Sequence, residues 1–563
     1  MFGFRKPQAA IAHPLQSRKT ATAWFRELHA GDPIARLQAV ARAIEERFQS
    51  GKPLDHGCVE AVEFLDTELA ADRGRLVSQY VESVAKSPTV AERVWQAAHV
   101  AGNGFVVAYR ALVDAAAARP GDARWRRARP RLIGRLMHFH GIDSKLRVLK
   151  SERWIPAKWI ELHATYREAE AQGLTRVPLG TVAAGSESAA STIEREYLLV
   201  LFTHLLNTGT LAPGDIDWAC VELRRWTGVL DLVAAPRVAN GFAVDLNART
   251  GLVRRERGYA DAPAAALRYL DTGPLVLQLD RMRETLRRQA RDVDAASSVN
   301  TQHLAILERL RLLFSPEPPP AVTRDPRTAV GASAQVRAGL ARICAELAPD
   351  EAHNAAIDPV ADEEPEPPAP PVAVPLPVFG RAPGRRSPPP PPVESLWRVE
   401  DRSANGMRIV AASGQGEGVV LGSLLAIRPP GERDWSLGIV RRMAKATPDK
   451  VDAGVALIAT RFAAVALHGR QQAREDMGFV VDGVDVSTIG NRFDGLYLPP
   501  PSRPDRPVTA KTMVVPRNEY APGRNLVVIT GRSVYTIALR DVLEQQAGWT
   551  WATIEIVGKS SRE

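Results

Sequence analysis

Two groups of residues in the second half of the chain have types and spacing suited to ligand binding. They are Arg381, Arg385 and Arg386, and then Asp401, Ser403 and Gly406. The first group has the spacing Arg-x-x-x-Arg, and the second has the spacing Asp-x-Ser-x-x-Gly. An arginine fork can bond bidentately to phosphate oxygens or to a guanine edge, and its plane can stack on a base. Carboxylate and hydroxyl groups opposite the fork can accept from and donate to the same ligand, and a glycine lets the backbone approach closely.

The second group lies between two short apolar runs with strand character. Trp397 and Val399 precede it, and the run 407–410 follows at once. Asp, Ser, Asn and Gly bond the local backbone or tolerate φ > 0, so the group is typical of a tight turn between strands. Further strand-like runs follow, with glycines inside or beside them where small barrels bend their strands. These runs are 419–421, 423–427, 435–440 and 455–458. The pattern predicts a small antiparallel β-barrel over residues 394–468.

At these residues the chain resembles the PilZ family, small barrels that bind the bacterial second messenger cyclic di-GMP. The resemblance covers roughly residues 378–467, with the arginine motif in a loop and the Asp-x-Ser-x-x-Gly motif between two strands. It implies a ligand clamp and a pocket floor. The clamp would be Arg381 and Arg385 with Arg386 adjacent, and the floor would be Asp401, Ser403 and Gly406. The resemblance also implies that the loop orders on binding and reorients the flanking helical region.

No residue pattern indicates catalysis or a bound metal. The chain has no GxxxxGK[ST], no GxGxxG after a strand, no GxSxG and no HExxH. His138 and His140 lie close together, but Asp143 is the one nearby carboxylate and no cysteine is near, so the ligand set is incomplete. We therefore predict a protein that is not an enzyme, with no catalytic residue, no metal and no cofactor, and with cyclic di-GMP as its ligand.

The composition is that of a globular cytoplasmic protein. Of 563 residues, 45% are hydrophobic and 24% charged, which is enough for large cores and about three or four domains. No apolar run is long enough for a membrane span, and the charged start has no apolar segment typical of a secretory signal. Three scattered cysteines suit a reducing compartment. The net charge of +9, rich in arginine, fits either a GC-rich bacterial genome or an anionic partner.

The first half of the chain predicts an all-helical scaffold. After a tail of residues 1–15, apolar side chains recur at helical spacing over 16–315, with short loops that contain Gly or Pro. One helix is marked by Ser191 and Glu194, whose spacing is that of a capping box. No repeat of fixed length persists, so an irregular bundle and a solenoid with worn repeats both stay open.

A proline-rich segment follows the helical region. Residues 316–393 predict a linker with one short helix at 332–347, because 349–392 contains 15 of the 43 prolines and cannot bury a core. Residues 469–563 predict a further β-rich domain, either separate or an extension that completes the barrel. The predicted fold class is multidomain α+β: a helical N-terminal bundle or solenoid, a Pro-rich linker, a small antiparallel barrel and a β-rich C-terminal domain.

These elements predict a signalling adaptor that binds cyclic di-GMP and relays it to a protein partner, not identified by the sequence, held by the helical region. One alternative is a protein-interaction scaffold whose barrel no longer binds nucleotide. A second alternative is nucleic-acid binding by the basic segment 119–158. Pro130 is expected to break this segment, and a solvated helix surface or a docking face for an acidic partner accounts for it better.

Overall fold

The computed structural model of the chain divides into two compact units. The helical unit is Met1–Thr323 with Ala444–Pro448, and the β unit is Arg324–Met443 with Asp449–Glu563. The structure describes residues 13–28, 31–84, 86–179, 191–236, 241–255, 264–291, 298–317, 325–347, 396–412, 416, 418–429, 431–447, 450–470, 489–502, 508–530 and 533–561. Most of the predicted tail 1–15 and most of the predicted linker 316–393 lie outside these residues.

The described part of the helical unit contains eleven α-helices, so the predicted helical architecture is confirmed. They are α1 (Arg18–Glu27), α2 (Pro33–Gln49), α3 (His56–Glu68), α4 (Ala70–Ser83), α5 (Pro88–Ala117), α6 (Ala123–Leu149), α7 (Pro156–Ala171), α8 (Ile193–Leu205), α9 (Pro213–Trp226), α10 (Gly273–Arg291) and α11 (Ser298–Phe314). Local signals explain several starts. Asp32 and Asp122 accept amide hydrogens from the first turns of α2 and α6. Proline occupies the first position of α2, α5, α7 and α9, where no amide hydrogen is needed.

Helices α5 and α6 form the centre of the helical unit, because α2 and α4 pack on α5 and α8 packs on α6. Between them, the Asp66 carboxylate of α3 is buried and accepts hydrogen bonds from Tyr109 and Arg73, both at 2.7 Å. It is also ion-paired with Arg135 of α6. The two guanidinium groups lie over the Phe139 ring, at 5.1 and 5.4 Å from its centroid. A buried charge network therefore joins α3, α4, α5 and α6.

The region is not purely helical. Four short strands follow α9 and form an antiparallel sheet in the order β1-β4-β2-β3. They are β1 (Leu232–Val233), β2 (Phe242–Asp245), β3 (Val253–Arg254) and β4 (Leu267–Leu270). Phe242 and Val244 are buried in the same core as the helices, so the sheet belongs to the packing of this unit.

The β unit begins with a closed six-stranded barrel, which confirms the predicted small barrel. Its strands are β5 (Thr328–Ala338), β6 (Leu396–Ser403), β7 (Gly406–Ala412), β8 (Leu424–Arg428), β9 (Ser436–Thr447) and β10 (Lys450–Ala459). The order around the barrel is β10-β7-β6-β5-β8-β9. Apolar side chains of all six strands fill the interior, among them Trp397, Ile409 and Val455.

The structure corrects the position of the first strand. The predicted helix at 332–347 is wrong in its first half, because 328–338 is strand β5 and the helix, α12, is Leu340–Leu347. Strand β5 pairs with β6 in the register Ala334↔Trp397, so the barrel begins before the proline-rich segment and not at 394. The segment 348–395 therefore lies in sequence between two strands of one barrel. The sequence analysis predicted instead that it connects the helical region to the barrel, and this prediction is wrong.

A second closed six-stranded barrel follows. The C-terminal strands therefore form a barrel of their own and do not complete the first one. Its strands are β11 (Ala463–Arg470), β12 (Ile489–Leu498), β13 (Thr512–Pro516), β14 (Asn525–Thr530), β15 (Ser533–Gln545) and β16 (Trp549–Ser561). The order is β11-β12-β13-β16-β15-β14. Strand β11 lies inside the range 394–468 predicted for the first barrel, so the boundary between the barrels falls between 459 and 463.

Candidate functional site

The Asp-x-Ser-x-x-Gly residues form the predicted turn between two strands. Strand β6 ends at Ser403 and β7 begins at Gly406, and these two residues are paired across the hairpin. The Ser403 hydroxyl donates to the Gly406 carbonyl oxygen at 3.4 Å, a long bond that leaves the hydroxyl oxygen able to accept. The Asn405 amide donates to Asp325, just before β5. The turn is thus bonded to the start of the first strand.

Asp401 lies on the outer face of the barrel beside two arginines. Arg327, immediately before β5, donates to the Asp401 carboxylate at 2.8 Å, and Arg408 is the residue opposite Asp401 on β7. Arg408 in turn donates to Asp452 of β10 at 2.7 Å, and this hydrogen bond raises the pKa of Arg408. Arg327 and Arg408 are about half exposed. The outer face of β6, β7 and β10 is therefore an accessible row of alternating charges.

The structure gives a reason for glycine at position 406 that the sequence did not indicate. A Cβ atom at this position would lie 2.7 Å from the carbonyl oxygen of Val455 on β10, closer than real contacts allow. The close approach at Gly406 is therefore between strands β7 and β10 of the barrel. This contact alone requires a glycine, whether or not a ligand approaches the same backbone.

The predicted clamp, Arg381, Arg385 and Arg386, lies outside the described residues. Arg385 precedes the first residue of β6, Leu396, by about eleven positions, so an extended chain reaches about 36 Å. Strand β6 itself is about 23 Å long from Leu396 to Ser403. The connection is long enough for Arg385 to reach the turn.

The arginine that the structure brings to Asp401 is Arg327, which the sequence analysis missed. The signal was present as Asp325-Pro-Arg327, charged residues directly before a strand. It could be used only once β5 was recognised, because its partner strand lies beyond the proline-rich segment.

The arginines that the structure describes on this face are paired with carboxylates. Arg398 pairs with Glu400 at 3.2 Å, in addition to the pairs that Arg327 and Arg408 make with Asp401 and Asp452. A ligand with two phosphates would have to displace carboxylates or recruit further cations. Arg381, Arg385 and Arg386, the predicted clamp, lie in the segment of the sequence that leads into β6.

Both spacings recur later in the sequence, at Arg470-x-x-x-Arg474 and Asp485-x-Ser487-x-x-Gly490. Arg470 ends β11 and pairs with Ile489 at the start of β12, while 471–488 lie outside the described residues. This copy falls between the first and second strands of its barrel. The Asp401–Gly406 turn joins the second and third strands of the first barrel, so the two copies occupy different topological positions.

The basic segment 119–158 is not broken by Pro130, which lies inside α6. Arg124, Arg126 and Arg127 in the first turns of this helix are exposed, as predicted for a solvated surface, whereas five other basic residues of the segment pair with carboxylates of neighbouring helices. The pairs are Arg129–Glu168, Arg131–Glu63, Arg135–Asp66, Lys145–Asp217 and Lys150–Glu92. Cations already paired within the fold gain little by binding a phosphate backbone. The structure therefore gives no support to nucleic-acid binding through these residues.

His138 and His140 of α6 point to different partners. His138 Nδ1 is 3.2 Å from a Glu196 oxygen, and His140 Nε2 is 3.6 Å from a Glu161 oxygen. Burial lowers the pKa of both imidazoles to about 4. Over the residues that the structure describes, no three His, Cys, Asp or Glu side chains come together as a metal site. No helix in the described ranges is both long and apolar enough to cross a membrane.

Comparison with protein families shows that the helical region is similar to a domain of a cyclic di-GMP receptor. Residues 19–236 match the family described as "Cyclic-di-GMP receptor FimW, N-terminal domain". The match covers less than half of the chain and lies in the helical unit, outside the barrel motifs. The predicted resemblance to a cyclic di-GMP receptor family is confirmed by this match. No curated protein and no solved structure matches the chain.

Proposed function

We propose that the protein is a cyclic di-GMP signalling adaptor that binds its ligand on the outer face of a PilZ-like first barrel. The observation that carries the proposal is the match of residues 19–236 to a domain of a cyclic di-GMP receptor. The Asp401–Gly406 turn supports the location, because its carboxylate and hydroxyl lie with Arg327 and Arg408 on one accessible face.

The residues of this face have complementary roles toward a cyclic dinucleotide. Asp401 would accept from the N–H groups of a guanine edge, and Ser403 would donate or accept beside it. Binding at Asp401 would release Arg327 from its ion pair, so that its guanidinium could bond to a phosphate. Arg381 and Arg385, with Arg386 adjacent, would supply the additional positive charge that the face lacks.

The proposed role beyond binding is to relay the ligand state to a protein partner through the helical unit. The protein would act in the bacterial cytoplasm. It would not catalyse a reaction, because the side chains of the proposed binding face form hydrogen bonds and ion pairs and include no activated nucleophile.

The test is calorimetric titration of cyclic di-GMP into the full-length chain. Arg381→Ala/Arg385→Ala and Arg327→Ala should each weaken binding about tenfold or more, as expected for loss of a charged hydrogen bond, and Ser403→Ala should weaken it about fivefold, as expected for loss of a neutral one. Arg517→Ala, an exposed arginine of the second barrel, is the matched control and should bind like the wild type. Binding that survives all three site changes would refute the proposed location.

One observation favours the alternative of a scaffold with a non-binding barrel. Arg327, Arg398 and Arg408 of the proposed face are each already paired with a carboxylate. If titration of the full-length chain with cyclic di-GMP produces no heat, and the chain also does not bind labelled cyclic di-GMP, the scaffold hypothesis replaces the receptor hypothesis.

A further inference from the structure

The two barrels of the β unit have the same strand order. When the strands of each barrel are numbered one to six along the chain, both follow the order 3-2-1-4-5-6, and strand six closes onto strand three. The closing pairs are β10 with β7 and β16 with β13, both antiparallel. The β unit thus contains one barrel topology twice, and faces of the two barrels correspond.

The corresponding faces have opposite chemistry. In the first barrel, the outer face of strands two, three and six presents the polar, accessible residues Asp401, Arg408 and Asp452. In the second barrel, the same strands present apolar side chains that are at most 4% exposed. These are Leu496 and Leu498 of β12, Val514 of β13, and Trp549 and Trp551 of β16.

Helix α12 of the same chain covers the apolar face. Its buried residues are Leu340, Ile343, Cys344 and Leu347, whose spacing places them on one side of the helix. They share a core with the apolar residues of β12, β13 and β16. The Cys344 thiol donates to the Gly495 carbonyl oxygen on β12, with 3.6 Å between sulfur and oxygen.

The other side of the same core is the outer face of the first barrel at β8 and β9, where Leu424, Leu437 and Ile439 are fully buried. Polar contacts join the barrels beside the helix. The Trp549 indole donates to the Gly422 carbonyl oxygen at 3.1 Å, and Arg441 donates to both oxygens of Glu544 at 2.6 Å. Helix α12 is therefore packed between the two barrels.

We propose that the face of β12, β13 and β16 on the second barrel corresponds to the ligand face of the first barrel, and that α12 and the first barrel cover it. The second barrel is then the docking partner of the first and not a second nucleotide receptor. The choice of ligand face rests on the proposed function, whereas the docking of α12 rests on the packing alone. The occupant is thus a defined amphipathic helix of this chain, connected to β5 through Gly339.

Cys344 allows docking to be measured without any ligand. The thiol is buried between α12 and β12, and burial raises its pKa to about 12 from an ordinary value of 9.0. At mildly alkaline pH this change alone lowers the thiolate fraction by about a thousandfold. N-ethylmaleimide labelling of the full-length chain, read by mass spectrometry of the cysteine peptides, should be at least about a hundredfold slower in buffer than in concentrated urea.

Two variants of α12 distinguish docking from general stability. Ile343→Asp places a charge in the interface and should accelerate Cys344 labelling at least about tenfold, while Cys58, which is buried in the helical unit, should label as slowly as in the wild type. Ala345→Asp, at an exposed position of the same helix, should label like the wild type. Wild-type labelling of Cys344 at nearly the rate in urea would overturn the proposal.

The absence of a second receptor site is tested with cyclic di-GMP and two serine variants of the full-length chain. Ser403→Ala should weaken binding and Ser487→Ala, in the second copy of the motif, should not. Loss of binding in Ser487→Ala alone would assign the ligand to the second barrel and overturn the proposal. If the wild type binds no cyclic di-GMP, the proposed function fails, and the Cys344 labelling still decides whether α12 is docked.

Discussion

Removal of the Asp66 carboxylate should strongly destabilise the helical unit. The side chains of Asp66, Arg73 and Arg135 are 3%, 9% and 14% exposed, so Asp66→Ala removes the carboxylate with which two largely buried guanidinium groups are ion-paired. Breaking a buried pair in this way costs about 3–5 kcal/mol. The Tyr109 hydroxyl also loses its acceptor, which adds to the cost.

Glu63 provides a matched control on the same helix. It lies one turn before Asp66 and also pairs with an arginine of α6, but Arg131 is 48% exposed and Glu63 is 26% exposed. Glu63→Ala should cost less than about 1 kcal/mol, because water screens the pair. Urea unfolding of the full-length chain, followed by the helical circular dichroism signal, measures both changes. Two variants that differ by less than about 1 kcal/mol would refute the assignment of a buried charge network.

Two further results are expected. Acidification should destabilise the helical unit, because burial lowers the pKa of His140 and His204 to about 4 from 6.5. The unfolded chain then binds more protons, so the contribution of each group, up to about 3 kcal/mol, is complete above pH 6.5 and is lost as the pH falls toward 4. Urea midpoints at about pH 7 and about pH 4.5 should therefore differ less in His204→Gln than in the wild type, and an equal difference would contradict the explanation. In the first barrel, Gly406→Ala should cost about 1–3 kcal/mol through its clash with β10, whereas Gly548→Ala, with open space at its Cβ, should be nearly neutral in the same unfolding measurement.

Local sequence signals were sufficient where the contacts that stabilise an element are local. The helix near Ser191 was predicted from its capping residues and apolar stripe, and α8 is present one residue later than the predicted box. Thr192 is the residue that accepts from the first turn, while the Ser191 hydroxyl donates to Glu196. The hairpin at Asp401–Gly406 was likewise readable, because turn residues separate two apolar runs.

The misplaced elements are those whose partners are distant in sequence. Strand β5 consists largely of small residues, and its inward side chains include Ala334 and Val336. It is stabilised as a strand by pairing with β6 and β8. Such pairing leaves little trace in local propensity. The same limit applies to the basic residues of α6, since their carboxylate partners lie on other helices. The prediction of the site residues was the least complete, because Arg327 could be matched to Asp401 only after β5 was placed.

The position of residues 348–395 within the first barrel has a consequence for how the chain tolerates cleavage and change. A single cut in this segment would separate β5 and α12 from everything that follows in sequence. The two fragments would stay associated, because β5 is hydrogen-bonded to β6 and β8 and α12 is buried between the barrels. Lengthening the segment is inexpensive as well, at about 0.6 kcal/mol for each doubling of its length. Evolution can thus rewrite or extend this stretch, with its arginines, while the two-barrel unit around it keeps its fold.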